Sequence, residues 1–139
     1  MTTDATRREA PSVERELADR FRRALASDTA ALRELVRRGA WTSASCLVGI
    51  GDVPTLVRIR QGVPATQAEI PLLCPWDFSV RGSAQAWAAL WCPYPEPGWH
   101  DLFALTKRGE FRIEGNLQPF MANLQYFKDL LSMPREATS

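Results

Sequence analysis

The chain has 139 residues, a formal net charge of +1, 45% hydrophobic residues and 24% charged residues. This length and balance predict one globular domain with a real core, and they exclude a disordered chain. The near-zero charge gives no support to a strong overall field for nucleic acids or membranes. No apolar run is long enough to span a membrane, and the N-terminus, MTTDATRREAPS, lacks the hydrophobic region of a signal peptide.

The three cysteines are odd in number and widely spaced, at Cys46, Cys74 and Cys92. Because they form no CxxC pair, we expect reduced thiols in a cytoplasmic protein and no metal site. Glycine-rich phosphate loops are also absent, so the sequence predicts no cofactor. Arginine greatly outnumbers lysine, which indicates a GC-rich, bacterial genome.

The N-terminal segment has the pattern of two helices separated by a short turn. Ser12 can cap a helix that starts at Val13, with acidic residues near its positive end. Asp28 can cap the second helix, and Gly39 follows two arginines as a C-terminal signal. Residues 1–11 are polar, so we expect them to be loose.

Strand patterns dominate the next section. Residues 45–50 and 56–60 flank a Gly51-Asp52 turn, which predicts a hairpin. Prolines interrupt residues 61–75, where we expect an irregular edge strand. Residues 77–82 alternate between apolar and polar side chains and predict a further strand.

Helical patterns and prolines alternate after this strand. Ser83 can cap a helix that runs through Trp91. Three prolines make residues 92–98 a loop, and a further helix is expected over 99–107, until Gly109 stops it.

The chain ends in a strand and a long amphipathic helix. In the strand, Phe111 and Ile113 face inward. In the helix, steps of three and four place six apolar residues on one face: Leu117, Phe120, Met121, Leu124, Phe127 and Leu131. Pro134 prevents extension of this helix, so we expect a domain over 12–132 and a short tail over 133–139.

This order of elements predicts an α+β layer, with helices on one face of an antiparallel or mixed sheet and a wetter second face. Outward strand positions hold Ser79 and four arginines, Arg58, Arg60, Arg81 and Arg112. We interpret them as a solvated face whose arginine stems cover apolar surface. The alternative is a face that attracts lipid head groups or RNA. The strand aromatics fall on the opposite phase, which argues against RNA.

The order, together with two stretches, resembles the sterol carrier protein type 2 family of lipid-binding domains. The resemblance runs from Trp41 to Leu131 and is strongest after Phe78. One stretch is FSVRGSAQAWAALW, where the family has a strand, a small polar residue and a short helix. The other is GEFRIEGN, where the family has a glycine-led strand that ends in Gly-Asp before a closing amphipathic helix. Asn116 stands where an aspartate is common, and the proline-rich loop at 92–98 is a second departure, placed to reshape a cavity mouth.

The resemblance implies a five-stranded, mostly antiparallel or mixed sheet covered by helices, with an apolar tunnel between the layers. The tunnel would hold sterols, fatty acyl chains or other lipids. Carried over by position, its walls would be Trp87, Trp91, Phe103, Phe111, Ile113, Phe120, Met121, Leu124 and Phe127. The family offers no shared catalytic constellation to transfer. Without the resemblance, the same residues would be interpreted as ordinary core.

The single histidine, His100, precedes Asp101 and could act as a general base with a carboxylate to orient it. Because neighbours on a helix point about 100° apart, the two side chains would not naturally pair. A capping role is therefore the simpler interpretation. No serine lies in a nucleophile motif, and a Cys92–His100 pair is the remaining nucleophilic alternative.

Three functional hypotheses follow. The first is a cytoplasmic binding module that holds a lipid-like molecule in the tunnel, with the C-terminal helix as a lid. The second is a small enzyme in which His100, Asp101 or Glu114 supplies acid–base chemistry on an apolar substrate. The third is an accessory protein that delivers lipophilic intermediates to a pathway enzyme, docking through the arginines or the proline-rich loop. None requires nucleic acid or stable membrane insertion.

Overall fold

A computed structural model describes residues 2–71, 73–92 and 102–135, with side chains for all of these except 2–12, 103 and 104. The helices are α1 (Thr2–Ala26), α2 (Ala30–Arg38), α3 (Ala84–Leu90), α4 (Leu102–Lys107), α5 (Gln118–Ala122) and α6 (Leu124–Leu131). The strands are β1 (Ala44–Ile50), β2 (Val53–Arg60), β3 (Val63–Gln67), β4 (Phe78–Gly82) and β5 (Phe111–Gly115).

The five strands form one mixed sheet in the order β3-β2-β1-β4-β5. Neighbouring strands are antiparallel except for β1 and β4, which run parallel at the centre. The predicted α+β class is confirmed, and so are the hairpin around Gly51 and the edge strand that follows it. Gly51 has a φ of 58°, which a glycine adopts without steric cost.

Helices cover one face of this sheet, and the main core lies between the two layers. Each strand contributes alternate residues to this face, such as Val48 from β1 and Val80 from β4, which are fully buried and lie side by side. Opposite them, α1 buries Ala18, Phe21 and Leu25, and α2 buries Leu32 and Leu35. The period of two in the strands and of three to four in the helices is the pattern that predicted these faces.

Two helix starts differ from the prediction. Helix α1 begins at Thr2, ahead of Val13, so Ser12 lies within the helix and does not cap it. Alanine, arginine and glutamate in this stretch have high helix propensity, which its polarity had hidden. Helix α2 is capped by Thr29, whose hydroxyl accepts a hydrogen bond from Leu32 N at 3.2 Å. The predicted cap, Asp28, is instead engaged by an arginine of α2.

The predicted C-terminal helix is divided into α5 and α6. Asn123 lies between them with a φ of −127° and a ψ of 42°, outside helical geometry. Its side-chain amide donates to Pro119 O, and its side-chain oxygen accepts from the Thr42 hydroxyl, both at 3.0 Å. The bond to Thr42 ties the break to the sheet, because Thr42 lies two residues before β1. The apolar period alone could not reveal an interruption that depends on a residue this distant.

The second face of the sheet is drier than predicted. Leu47 pairs with Leu56 on one side and with Ser79 on the other, and all three are buried in one row. The connection from β3 to β4 starts at Gln67, which pairs with Leu56, and must cross this row to reach β4. The prediction of an outward, solvated position for Ser79 is therefore wrong as to exposure, because the residue is only 4% exposed.

Candidate functional site

Trp87 of α3 and Trp91, the C-terminal cap of that helix, occupy the space between the sheet and the helices. Trp87 and Trp91 are both fully buried. Trp87 Nε1 donates to Gly49 O of β1 at 2.8 Å, and Trp91 Nε1 donates to Leu131 O of α6 at 2.8 Å. Each indole therefore has its polar atom satisfied and fixes α3 to a neighbouring element.

These indoles belong to a row of rings that crosses the buried layer. Trp87 lies 4.6 Å, centroid to centroid, from Phe111 of β5, with an edge-on geometry. Trp87 and Trp91 are 5.4 Å apart, and Trp91 stacks on Phe21 of α1 at 5.9 Å with an interplanar angle of 5°. These separations are within the range at which aromatic pairs attract beyond simple burial.

A second ring group lies under α5 and α6. Phe78 of β4 contacts Phe120 at 5.3 Å and Phe127 at 5.0 Å, in edge-on geometries. Tyr126 contacts Phe127 at 5.4 Å, and its hydroxyl donates to Gly62 O at 2.7 Å. Burial raises the pKa of Tyr126.

Tyr126 did not appear among the predicted wall residues. It lies off the stripe of steps of three and four that defined the apolar face of the last helix. The signal that could have revealed it is a second apolar pair at i and i+4, formed with Leu130, which is also buried.

The structure brings five of the nine predicted wall residues into these two ring groups: Trp87, Trp91, Phe111, Phe120 and Phe127. Ile113 and Leu124 are partly buried and pack against the same core. Met121 is 55% exposed. Phe103 lies on α4, and its side chain is outside the described residues.

Where β5 passes into α5, apolar side chains reach the surface beside the ring groups. Ile113 pairs with Val80 on the helix-covered face of the edge strand. Leu117 and Met121 are 38% and 55% exposed, and they lie on one face of α5 because Met121 N donates to Leu117 O. We call Ile113, Leu117, Met121 and Leu124 the α5 lip.

A glycine sets the geometry of this transition. Gly115 has a φ of 108°, and a Cβ placed there would lie 2.7 Å from Asp77 O. The next residue, Asn116, donates its backbone N–H to that same oxygen at 2.7 Å. Only glycine permits so close an approach, so β5 leads directly into a helix that lies over the rings.

Two of the surface grooves lined by described residues contain no predicted wall residue. The larger has a volume of about 500 Å³ and lies between α1, α2 and α6. It is crossed by an ion pair between Arg38 Nη1 and Asp129 Oδ2 at 2.9 Å, which joins α2 to α6. The smaller, of about 350 Å³, lies along α1.

The candidates for acid–base and thiol chemistry do not form a site in the described part of the chain. His100 and Asp101 lie outside the described residues, as does most of the loop at 92–98. Glu114 is exposed on the second face of the sheet, away from the rings. Cys46 is fully buried, and burial raises its thiol pKa, so its reactive thiolate form is disfavoured.

Metal and membrane-spanning features are likewise missing from the residues that the structure describes. They contain no group of three His, Cys, Asp or Glu side chains placed to hold a metal ion. None of the helices they form combines the length and the apolarity needed to cross a bilayer.

Comparison with known proteins identifies the fold. No family model matches the sequence, and no curated protein matches it. Among solved structures, a crystal structure of sterol carrier protein 2 matches with a TM-score of 0.59 and 17% identity over 87% of this chain and 95% of that chain. A ubiquinone synthesis protein, UbiJ-SCP2, matches with a TM-score of 0.51 and 17% identity over 94% and 93% of the two chains. The chain therefore has the sterol carrier protein 2 fold, as its resemblance to that family predicted.

Proposed function

We propose that this protein is a carrier that binds a hydrophobic small molecule, such as a lipid, between its sheet and its helices. The observation that carries the proposal is the α5 lip, where apolar side chains that solvent can reach adjoin a buried layer of rings. Sterol carrier protein 2, which has this fold, is named for carrying a sterol. A layer lined by aromatic and aliphatic side chains with few polar groups has the chemistry of a lipid site.

The ring groups fill much of this layer, so a ligand enters by displacing the helix that covers them. Helix α5 has only five residues and is separated from α6 by Asn123. Helix α6 is held more firmly, through the hydrogen bond from Tyr126 and the ion pair from Asp129. We therefore assign the moving lid to α5 alone, whereas the sequence suggested the whole C-terminal helix.

The affinity for such a ligand comes from the apolar area that it buries. Burial contributes about 25 cal/mol per Å², which favours long chains or fused rings over small solutes. Displaced aromatic side chains must find new contacts on the ligand, so the net gain is smaller than the area alone suggests.

A charge placed under the lid tests this proposal. Leu124 is partly buried against the core at the start of α6, and Ala122 is exposed only two residues earlier. We expect Leu124→Asp to lower the uptake of a fluorescent fatty acid at least tenfold, because the bound chain would face a desolvated carboxylate. Ala122→Asp adds the same charge outside the layer and should leave uptake unchanged.

Uptake would be measured by titration, and the fold of both variants by circular dichroism. Equal uptake by the wild type and a folded Leu124→Asp protein would refute the site. Native mass spectrometry of protein purified from its own source, followed by solvent extraction, would identify a bound molecule. A clean mass that also stays unchanged after incubation with lipids and sterols would refute the carrier role itself.

Delivery to a pathway enzyme is a second candidate function, favoured by the similarity in fold to a protein named for ubiquinone synthesis. In this role the protein would present a lipophilic intermediate to an enzyme instead of storing it. Affinity capture with ligand-loaded and ligand-free protein distinguishes the two roles. Delivery predicts an enzyme that is captured preferentially by the loaded form and acts on the same molecule.

A further inference from the structure

The second face of the sheet carries four exposed arginines on three different strands. Arg58 and Arg60 lie on β2, and Arg81 lies on β4 directly opposite Arg112 of β5. Within the described part of the chain, none of the four forms an ion pair with a carboxylate. Directly opposed like charges are unfavourable across a sheet, so this arrangement is not explained by stability.

Local geometry makes room for these side chains. A Cβ on Gly49 would lie 3.0 Å from Arg81 Cγ, so the arginine stem lies across the bare glycine backbone of β1. Arg58 Nη2 donates to Cys74 Sγ at 3.2 Å, which places the connection from β3 to β4 beside it. The arginine heads are thus presented on a sheet surface whose centre is already covered.

Carboxylates on this face offset the positive charge only in part. Among the outward positions of the described strands, one carboxylate, that of Glu114 beside Arg112 on β5, stands against the four arginines. Asp77 at the start of β4 accepts from Ser45 N at 2.8 Å, and Glu69 is exposed on the connection, so among the described residues of this face four arginines stand against three carboxylates. The face therefore keeps a net positive charge, as the whole chain does.

Exposed apolar side chains stand among these arginines. Val63, opposite Arg60 on the edge strand, is 53% exposed, and Trp76 on the connection is 37% exposed. Leu73, next to Cys74, is 92% exposed and has a φ of 64°. A leucine in the left-handed region is strained, and burial of this side chain does not offset the strain. The exposed leucine therefore indicates contact with a partner and not a role in folding.

We propose that this face docks on the surface of an anionic membrane. Arginines without carboxylate partners complement anionic head groups, and Leu73 and Trp76 can enter the boundary between head groups and acyl chains. Strands β2 to β5 span about 14 Å at the usual spacing of about 4.8 Å, which is wide enough to meet several head groups. RNA is disfavoured because the strand aromatics lie on the other face. The proposed carrier role supplies only the purpose of this docking, which is to load or unload the ligand at a bilayer. The docking surface itself is inferred independently of that role.

Vesicle co-sedimentation with the full chain tests the proposal. The vesicles would contain either phosphatidylcholine alone or 70% phosphatidylcholine with 30% phosphatidylglycerol. The test variant is Arg81→Gln/Arg112→Gln. The matched control is Arg15→Gln/Arg23→Gln, which removes two exposed arginines from α1 on the opposite side of the sheet.

We expect the wild type to bind the anionic vesicles and to release them at high salt. Loss of two arginines at the surface should lower the partition coefficient roughly 20- to 30-fold, whereas the control should change little. Equal loss in the test and control variants would overturn the proposal, because binding would then follow total charge. Equal binding to neutral vesicles would also overturn it. The proposal would also be overturned if this face bound a single-stranded RNA oligomer and not the vesicles.

Leu73 provides a variant that does not threaten the fold. Leu73→Asn places a residue that tolerates a positive φ at this position, so the free energy of unfolding should be unchanged or higher. Vesicle binding should fall at least roughly fourfold, the effect of about one buried methylene group. Unchanged binding would show that the leucine does not enter the bilayer and would overturn that part of the proposal.

Ligand uptake by the same variants separates this inference from the proposed function. All five substituted side chains lie outside the ring groups, so fatty-acid uptake in solution should be preserved. A protein that binds vesicles but takes up no lipid would refute the carrier role and leave the docking surface intact. A protein that takes up lipid but does not bind anionic vesicles would refute the docking surface and leave the carrier role intact.

Discussion

Tyr126 joins helix α6 to the turn between β2 and β3 through one buried hydrogen bond, from its hydroxyl to Gly62 O. Removing the hydroxyl in Tyr126→Phe leaves that carbonyl without its partner. We expect the free energy of unfolding at neutral pH to fall by about 1–2 kcal/mol, as measured by urea denaturation.

The same residue predicts a dependence on alkaline pH. Burial raises the pKa of Tyr126 in the folded state, so above about pH 10 the unfolded chain loses this proton first. The stability of the wild type should therefore fall as the pH rises above 10, at up to about 1.4 kcal/mol per pH unit for this group. Tyr126→Phe should show a shallower fall, with a remainder from Cys46, whose pKa burial also raises. Parallel curves for the two proteins would contradict this assignment.

Among the elements, two turns with the same backbone angle make a matched comparison. Gly62 and Gly109 both have a φ of 83°. A Cβ on Gly62 would lie 2.6 Å from Gly39 O and 2.7 Å from Val36 O, whereas a Cβ on Gly109 would meet nothing within 4 Å. We expect Gly109→Ala to cost about 1–2 kcal/mol from backbone strain, and Gly62→Ala to cost more than about 3 kcal/mol. Equal losses of unfolding free energy in the two variants, measured by thermal or urea denaturation, would show that the end of α2 shifts to accommodate the added Cβ at little cost.

The break at Asn123 gives a prediction for motion. In Asn123→Ala the nearly buried Thr42 hydroxyl and Pro119 O both lose a partner. Because these bonds hold α5 to the sheet, we expect its amides to exchange hydrogen roughly tenfold faster while those of α6 change less. Hydrogen-exchange mass spectrometry measures both, with Gln125→Ala as a control that loses only an exposed bond. Equal acceleration in α5 and α6 would contradict a lid confined to α5.

For the whole molecule, burial on both faces of the sheet is the feature with the largest consequence for stability. Leu56 lies on the second face and is fully buried. We expect Leu56→Ala to cost about 2–4 kcal/mol, as in a true core. Val63→Ala, on the same face but 53% exposed, should cost less than about 0.5 kcal/mol. If both variants lost similarly little unfolding free energy in denaturant, the connection from β3 to β4 would not shield the row of Leu47, Leu56 and Ser79 from solvent.

Much of the fold follows from local sequence patterns. Alternation predicted the strands, Gly51-Asp52 the hairpin and Ser83 the cap of α3, where its hydroxyl accepts from Ala86 N at 3.0 Å. The indoles of Trp87 and Trp91 were also placed on one helical face. These features depend on residues within a few positions of one another, which is why periodicity and capping rules find them.

The rest depends on contacts between distant residues. Parallel pairing of β1 with β4 leaves no mark in either strand, and the break at Asn123 requires Thr42. The covered second face did leave a signal, since CLVGI in β1 is a continuous apolar run and Leu56 and Val57 are adjacent apolar residues in β2, as in strands buried on both sides. The ring groups of the candidate site were predictable as a set of side chains. The packing of these rings against one another was not predictable, because each group combines side chains from three separate elements.

The parallel pair at the centre of the sheet also affects how the chain is made. A ribosome releases β1, β2 and β3 as a local meander well before β4, which must close a loop of about thirty residues to reach β1. Until then one edge of β1 stays unpaired, and the unpaired edge of an apolar strand can recruit other chains. We therefore expect nascent-chain aggregation to be greatest in the interval between the synthesis of β3 and β4, so that a pause there would favour misassembly.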